Sequence, residues 1–220
     1  MTHTILLIPG DGIGQEVIPA AAEVLDALGL SLRFEQAEAG FATFERTGSA
    51  LPAETLERCR RADAILFGAT QSPLSKVAGY TSPILSLRRE LDLFANLRPV
   101  VGEGVDMLIV RENTEGLYSR RERVEDAGDT AIAERVITRK ASERIARLAC
   151  EQAMSRPRQK LMLIHKANVL KETCGLFREA GLAVAAEYPQ LEVNELLIDT
   201  AAMWMVMDPA RFDVLVTTNL

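Results

Sequence analysis

The sequence predicts an α/β fold whose sheets are covered by helices on both faces. Short apolar runs, such as residues 5–8 and 64–67, alternate with segments whose apolar residues recur at helical spacing. The alternation continues to a last apolar run at residues 214–216. Strands that alternate with helices form largely parallel sheets, and such sheets are buried on both faces.

The predicted elements form two series, separated near a segment containing proline and glycine at residues 99–104. After the first strand a helix begins near Val17, and Pro52 suits the first turn of the next helix. The predicted strands are residues 5–8, 32–37, 64–67, 94–97, 107–110, 161–164, 193–198 and 214–216, and the predicted helices are residues 17–28, 51–61, 84–91, 141–154, 169–186 and 201–207. We therefore expect two domains, residues 1–98 and residues 99–220.

Composition and charge argue against several classes of protein. The 220 residues are 48% apolar and 25% charged, with a net charge of −6, which is ordinary for a globular protein. The acidic balance argues against a nucleic-acid partner, and no apolar run approaches the roughly 20 residues of a membrane span. Cys59, Cys150 and Cys174 are widely spaced and odd in number, so we expect reduced thiols. With no signal-peptide pattern at the N-terminus, we expect a cytoplasmic protein.

Polar side chains recur where the predicted strands end. Ligands of open α/β sheets bind at the carboxyl ends of the strands, so these side chains are candidates for a site. They are Thr70, Gln71, Ser72, Arg111, Lys166, Asn168 and Asp199.

The segment Pro-Gly-Asp-Gly-Ile-Gly at residues 9–14 follows the first strand and opens a helix. Glycines at such a place can expose backbone N–H groups to a phosphate. The spacing is GxGxG and not GxGxxG, so we interpret the segment as a tight turn and assign no Rossmann fingerprint. A phosphate loop stays open as the alternative.

Three arginines, Arg88, Arg98 and Arg111, are candidate carboxylate ligands. The planar guanidinium binds a carboxylate through two parallel hydrogen bonds, and three converging groups would suit a di- or tricarboxylate. The alternative for each arginine is a solvated side chain paired with a neighbour such as Glu90 or Asp92.

Tyr118, Lys166 and Asp199 are candidates for acid–base and metal chemistry. Tyrosine and lysine both have an unperturbed pKa of about 10, so neighbouring groups must shift the pKa of each for it to act near neutral pH. Magnesium prefers carboxylate ligands, which suits Asp199. The alternatives are a half-buried tyrosine, a surface lysine and a helix N-cap, and the residues alone leave these open.

Four ordered stretches together resemble the isocitrate, isopropylmalate and homoisocitrate dehydrogenases. They are LIPGDGIG at residues 7–14, the LRR and NLRP segments within residues 87–99, VRENTEGLY at residues 110–118 and HKANVL at residues 165–170. The resemblance covers essentially the whole chain, and residues 72–84 look most like homoisocitrate dehydrogenases. It implies the two-domain α/β fold of this family.

The resemblance implies NAD-dependent oxidative decarboxylation of a small 2-hydroxy di- or tricarboxylate, with Mg²⁺ or Mn²⁺. The expected substrate is homoisocitrate, with isocitrate as a second one, in lysine biosynthesis by the 2-aminoadipate route. Leu85 leaves 3-isopropylmalate, of leucine biosynthesis, open as an alternative, because isopropylmalate enzymes have an apolar residue there. A non-catalytic truncated or regulatory subunit of the same fold is the alternative from another class. The expected assembly is a homodimer or homotetramer, with no membrane partner.

Roles for individual residues also follow from the resemblance. Tyr118 protonates the enol, Lys166 acts from the partner subunit on the substrate hydroxyl, and Asp199 is one metal ligand. Thr70, Gln71, Ser72 and Asn168 lie at the nicotinamide end of the cofactor. The residues expected to contact the substrate are Ser72, Leu85, Arg88, Arg98, Arg111, Tyr118, Lys166 and Asn168.

Family members continue beyond the equivalent of residue 220. That continuation carries two more metal-binding aspartates, a glycine-rich adenosine loop and the rest of the first domain's sheet. We therefore expect this sequence to lack the family's C-terminal part and its fold to be incomplete at that end.

Overall fold

The computed structural model describes residues 2–219, and the chain divides into two compact units, Met1–Asp92 and Leu93–Leu220. The first unit holds a three-stranded sheet, and the second holds a five-stranded sheet and a separate two-stranded one. These sheets and their helices confirm the predicted α/β class. The two domains expected at residues 1–98 and 99–220 stay a prediction. Within residues 2–219, no helix is both long and apolar enough to cross a membrane.

The first unit is built on three parallel strands in the order β2-β1-β3, so the N-terminal strand is central. Its elements are β1 (His3–Gly10), α1 (Gly14–Ala27), β2 (Leu32–Gln36), α2 (Phe41–Thr47), α3 (Ala53–Arg61), β3 (Ala64–Ala69) and α4 (Pro83–Glu90).

The core of the first unit forms on one face of β1. Leu6 and Ile8 are fully buried, two residues apart, and therefore point to the same face. Cys59 of α3 and Leu87 of α4 pack into the same cluster. At the end of β1, Gly10 has φ +77°, and a Cβ there would lie 2.0 Å from the carbonyl oxygen of Ala69. Only glycine permits this close approach of the ends of β1 and β3.

The second unit is built on five strands in the order β4-β5-β10-β8-β9, of which only β4 is antiparallel to its neighbour. Strands β6 and β7 pair with each other in a hairpin. The elements are β4 (Ala95–Gly102), β5 (Val105–Glu112), β6 (Gly116–Glu125), β7 (Thr130–Val136), α5 (Arg139–Met154), β8 (Lys160–His165), α6 (Thr173–Ala185), β9 (Glu192–Leu197), α7 (Ile198–Met207) and β10 (Val214–Thr217).

Helices bury both faces of the five-stranded sheet, as the apolar runs predict. On one face Val110 and Leu163 pack against α5 and α6 in a single cluster that includes Phe177. On the other face Leu215 packs with Ala201 of α7. Alternate residues of each strand therefore serve two different cores.

Three parts of the structure differ from the sequence-based expectation. Helix α2 and the hairpin of β6 and β7 were not predicted from the sequence. The helix expected at residues 169–186 begins only at Thr173, because residues 166–172 form turns after β8.

Candidate functional site

In the second unit, polar residues collect at the carboxyl edge of the five-stranded sheet. Arg111 on β5 is paired with Thr217 on β10, and Thr217 is paired with Ile164 on β8. Lys166 follows the end of β8 directly, and Asp199 follows the end of β9 as the second residue of α7. Because these strands are parallel, their ends lie along one edge. Arg111, Lys166 and Asp199 therefore share that edge.

Arg98 and Arg111 lie on the same face of the sheet. In the antiparallel pair of β4 and β5, Arg98 is opposite Ile109 and Arg111 is opposite Asn96. Residues opposite each other share a face, as do residues two apart on one strand. Ile109 packs into the core beneath α7, so both arginines lie on the α7 face.

The two arginines differ in their contacts. Arg98 is exposed and its Nε donates to Asn96 Oδ1 at 3.0 Å. The Nε of Arg111 is buried and has no hydrogen-bond partner among residues 2–219. A buried donor left unpaired costs free energy that a bound carboxylate would recover. The structure thus brings together two of the three predicted arginines.

Lys166 and Asp199 form an ion pair between Nζ and Oδ2. The lysine side chain is 29% exposed and the aspartate side chain is 63% exposed, so the pair lies at the surface of the sheet edge. Leu197, and not Asp199, occupies the N-cap position of α7. The N-cap alternative for Asp199 is therefore wrong, although a carboxylate in the first turn still interacts favourably with the helix dipole.

The residues that the structure describes do not by themselves complete a site for a divalent metal. Among residues 2–219 there is no cluster of three or more histidine, cysteine, aspartate or glutamate side chains that could hold a metal ion. Asp199 is a single carboxylate, and its Oδ2 is already in contact with Lys166. A complete magnesium site would need further oxygen ligands.

His165 fixes the turn that carries Lys166. Its Nδ1 accepts a hydrogen bond from the backbone N–H of Ala167 at 3.1 Å. Its Nε2 lies 3.5 Å from Glu195 Oε2, and Arg178 holds the Glu195 carboxylate through two bonds of 2.6 and 2.7 Å. Burial lowers the pKa of His165, which favours the neutral ring that an accepting Nδ1 requires.

Tyr118 lies on the hairpin of β6 and β7, whereas Lys166 follows β8. Tyr118 is the third residue of β6 and is 41% exposed, and among residues 2–219 no hydrogen bond joins it to Lys166. The start of β6 is nevertheless close to the end of β10, since a Cβ on Gly116 would lie 2.1 Å from the Asn219 carbonyl oxygen. Asn168 is exposed in the turn after β8.

In the first unit, the loop after β3 carries Thr70, Gln71 and Ser72. The N–H of Gln71 donates to Asp11 Oδ2 at 2.8 Å, and the Tyr80 hydroxyl donates to the Gln71 carbonyl at 2.9 Å. Burial, and then the Asp11 charge, raise the pKa of the Tyr80 phenol, which keeps it a proton donor.

Two further predicted residues lie on α4. Leu85 and Arg88 are both partly buried, and their spacing of three residues puts them on one side of the helix. Leu87, between them in sequence, is 2% exposed and anchors the helix to the core.

Asp11 was not singled out from the sequence as a candidate site residue. Its carboxylate lies in the glycine turn that follows β1 and accepts hydrogen bonds from three backbone N–H groups. At the turn itself, the N–H groups of Asp11, Gly14 and Gln15 donate to the carbonyl oxygens of Ala69, Asp11 and Gly12. These donors are not open to a phosphate, which favours a tight turn rather than a phosphate loop.

Comparison with known proteins tests the family resemblance of these motifs. Residues 4–220 match the isocitrate/isopropylmalate dehydrogenase family. The chain belongs to this family. The resemblance found in the four ordered stretches is thereby confirmed.

Three relatives illustrate the range within the family. The chain is 52% identical over 227 residues to the isocitrate/homoisocitrate dehydrogenase of Thermus thermophilus, covering 100% of this chain and 67% of that protein. It is 49% identical over 224 residues to the 3-isopropylmalate dehydrogenase of Archaeoglobus fulgidus, covering 98% and 66%. The crystal structure of isocitrate dehydrogenase from Methylococcus capsulatus superposes with a TM-score of 0.93 at 43% identity, covering 100% of this chain and 67% of that one. The chain thus spans about two thirds of the length of these relatives.

Proposed function

We propose that this chain takes part in the NAD-dependent oxidative decarboxylation of homoisocitrate, with isocitrate as a second substrate, in lysine biosynthesis. The observation that carries the proposal is the grouping of Arg111, Lys166 and Asp199 at one sheet edge, with Arg98 next to Arg111 on the same face of the sheet. A relative named isocitrate/homoisocitrate dehydrogenase, at 52% identity, supports the choice of substrate.

Arg98 and Arg111 are proposed to bind substrate carboxylates. They share a face, and the unpaired Nε of Arg111 has the chemistry to bind an anion. Arg88, Ser72 and Leu85 of the first unit are proposed as further substrate contacts.

Lys166 is proposed to take the proton of the substrate hydroxyl at Nζ. The ketone formed by hydride loss releases its β-carboxylate as CO₂, the electrons of the broken C–C bond pass to the carbonyl, and Tyr118 is proposed to protonate the resulting enol through its hydroxyl. Bound NAD⁺ would supply the acceptor for the hydride that leaves the carbon bearing the hydroxyl. Thr70, Gln71 and Asn168 are proposed to lie at the nicotinamide end. Asp199 is the proposed carboxylate for Mg²⁺ or Mn²⁺, and since the described residues do not complete such a site we derive no step from the metal.

A homodimer in which Lys166 serves the partner's site is part of the proposal. The lack of a hydrogen bond between Tyr118 and Lys166 within residues 2–219 of one chain agrees with it. Mixing Lys166→Met with Arg111→Met subunits tests it, because each hybrid dimer then contains one intact site. We expect about a quarter of the wild-type rate from the mixture and almost none from either variant alone. A mixture as inactive as its components would show that Lys166 acts within its own subunit.

The activity itself is tested by NADH absorbance with homoisocitrate, isocitrate and 3-isopropylmalate in the presence of Mg²⁺. We expect the highest kcat/KM with homoisocitrate, and Lys166→Met should lower kcat about 10²–10⁴-fold, as expected for loss of an acid–base group. Lys171→Met, in the same connection between β8 and α6, is the control and should keep the wild-type rate. No rate with any of the three substrates would refute the proposal.

Two other candidate functions have an observation behind them. Leu85 and the 49% identity to a 3-isopropylmalate dehydrogenase favour an isopropylmalate substrate, which the same assay distinguishes. The absence of a three-ligand metal cluster among residues 2–219 favours a non-catalytic subunit. Thermal stabilisation of the protein by the three acids, without turnover, would favour the non-catalytic subunit.

A further inference from the structure

Asp11 joins three separate segments of the first unit. Its Oδ2 accepts the N–H of Phe41 at 2.7 Å and the N–H of Gln71 at 2.8 Å, and its Oδ1 accepts the N–H of Ala42 at 3.0 Å. Phe41 and Ala42 begin α2, and Gln71 lies in the loop after β3. One side chain thus links the ends of β1 and β3 to the start of a helix.

The surrounding backbone is shaped to admit this carboxylate. Gly40 has φ +129°, and a Cβ there would lie 2.6 Å from both Asp11 carboxylate oxygens. Any other residue at this position would displace the carboxylate. Hydrogen bonds from N–H groups to an ionised carboxylate are stronger than those to a neutral acceptor, so three of them hold the aspartate firmly.

Gln71 is held from its other side as well. The Tyr80 hydroxyl donates to its carbonyl at 2.9 Å, and the Tyr80 ring packs edge-on against Phe41 and Phe44, with ring centres 5.4 and 5.3 Å away. Contacts therefore run in a closed ring from Asp11 to Gln71, to Tyr80, to Phe41 and back to Asp11. Both polar groups of the Gln71 backbone have a partner in that ring.

We propose that Asp11 is a positioning residue that fixes the conformation of the loop formed by Thr70, Gln71 and Ser72. Its importance for cofactor binding rests on the function proposed above, in which this loop contacts the nicotinamide end of NAD. The positioning itself does not depend on that function. The Asp11 carboxylate has all its described hydrogen bonds with backbone N–H groups of its own chain, so it acts through the loop and not on the substrate.

Backbone amide hydrogen exchange, measured by NMR on the full chain, tests the positioning. Asp11→Ala should remove protection at Phe41, Ala42 and Gln71 together, by about tenfold or more at each. Asp11→Asn keeps one acceptor oxygen and should cause a smaller loss at the same three amides. Asp63→Asn is the matched control: Asp63 also accepts a backbone N–H, that of Thr4 at 2.7 Å, but at the opposite end of the sheet.

Several outcomes would overturn the proposal. Unchanged exchange at Gln71 in Asp11→Asn and Asp11→Ala would do so, as would an equal effect of Asp63→Asn on that amide. If Asp11→Ala does not fold, the variant Tyr80→Phe tests the proposed ring of contacts instead. It keeps the ring packing but removes the bond to the Gln71 carbonyl, so exchange should rise in residues 71–79 and stay normal at Ala42. A rise spread evenly over the unit would contradict the proposed ring of contacts.

Kinetics test the link to the cofactor separately. In Asp11→Asn we expect KM for NAD⁺ to rise about tenfold while kcat and the KM for the acid substrate change much less, because the affected loop serves the cofactor. Loss of folded protein would instead lower kcat and leave KM unchanged. If the wild-type chain shows no turnover, the proposed function fails, and the exchange measurements still decide the role of Asp11.

Discussion

Asp213 offers the sharpest test of how the second unit is held together. It precedes β10 and is 2% exposed. Its Oδ1 accepts Arg156 Nε at 2.5 Å, and its Oδ2 accepts the Lys160 N–H at 3.1 Å. Arg156 also donates to the carbonyl oxygen and the carboxylate of Asp106, at 2.9 and 2.8 Å. The carboxylate therefore links β10, β8 and the segment after α5 at the amino edge of the sheet.

Replacing Asp213 with Asn should destabilise the second unit strongly. Removal of one partner of a buried ion pair costs about 3–5 kcal/mol, because the other charge stays in a poorly solvated site. The Arg156 side chain is 22% exposed and keeps Asp106, so water and a second carboxylate reduce the effect toward about 3 kcal/mol.

Urea unfolding followed by the fluorescence of Trp204 measures this effect. Trp204 is the single tryptophan and packs on the α7 side of the five-stranded sheet, so its fluorescence reports on the unfolding of the second unit. With an m-value of about 2 kcal/mol/M, the midpoint should fall by roughly 1.5 M. Arg147→Met is the control, since Arg147 forms an exposed bidentate pair with Glu187 that water screens, and its midpoint should barely move. Equal shifts in Asp213→Asn and Arg147→Met would refute the argument.

Two other predictions concern the residues near the sheet edge. His165→Leu should speed amide exchange at Ala167 and lower kcat, whereas His165→Asn keeps an acceptor near the Nδ1 position and should restore much of both; equal behaviour of the two variants would contradict the positioning of Lys166 by His165. Burial raises the pKa of Glu115 above its usual value near 4.5, so the folded state binds this proton more tightly than the unfolded state. The free energy of unfolding therefore falls as pH rises from the pKa of the unfolded state through that of the folded state. Glu115→Gln should remove this fall, and urea unfolding at pH values below and above these two pKa values would measure it.

The apolar pattern predicted the central strands of the fold, because a strand buried on both faces has a continuous run of apolar residues in the sequence. Strands such as β8 and β10 read as continuous apolar runs, and the structure buries them on both sides. The hairpin of β6 and β7 left no such signal, since β6 is mostly exposed and rich in charged residues. Helix α2 has only seven residues, too few for a helical period to stand out.

Residues of the candidate site could be predicted only where a chemically suitable side chain lies at the end of a predicted strand. Arg111, Lys166 and Asp199 follow or end strands, so the rule for carboxyl ends found them without any tertiary information. Asp11 also follows a strand, but its segment is interpreted from the sequence as a tight turn. Its hydrogen-bond partners lie 30, 31 and 60 residues away in the sequence, so its contacts could not be predicted. The pairing of Lys166 with Asp199, 33 residues apart, is unpredictable for the same reason.

The loops at the carboxyl ends of β3, β5 and β8 are held by the same kind of hydrogen bond. In each loop, backbone N–H groups donate to a side chain at the end of a strand or in the turn after it. The N–H of Gln71 donates to Asp11, those of Thr114 and Glu115 donate to Glu112, and that of Ala167 donates to His165. These N–H groups are therefore already satisfied and do not form an open anion-binding nest. These four N–H groups are thus not available to an anion, which agrees with the proposal that the guanidinium groups of Arg98 and Arg111 bind the substrate carboxylates.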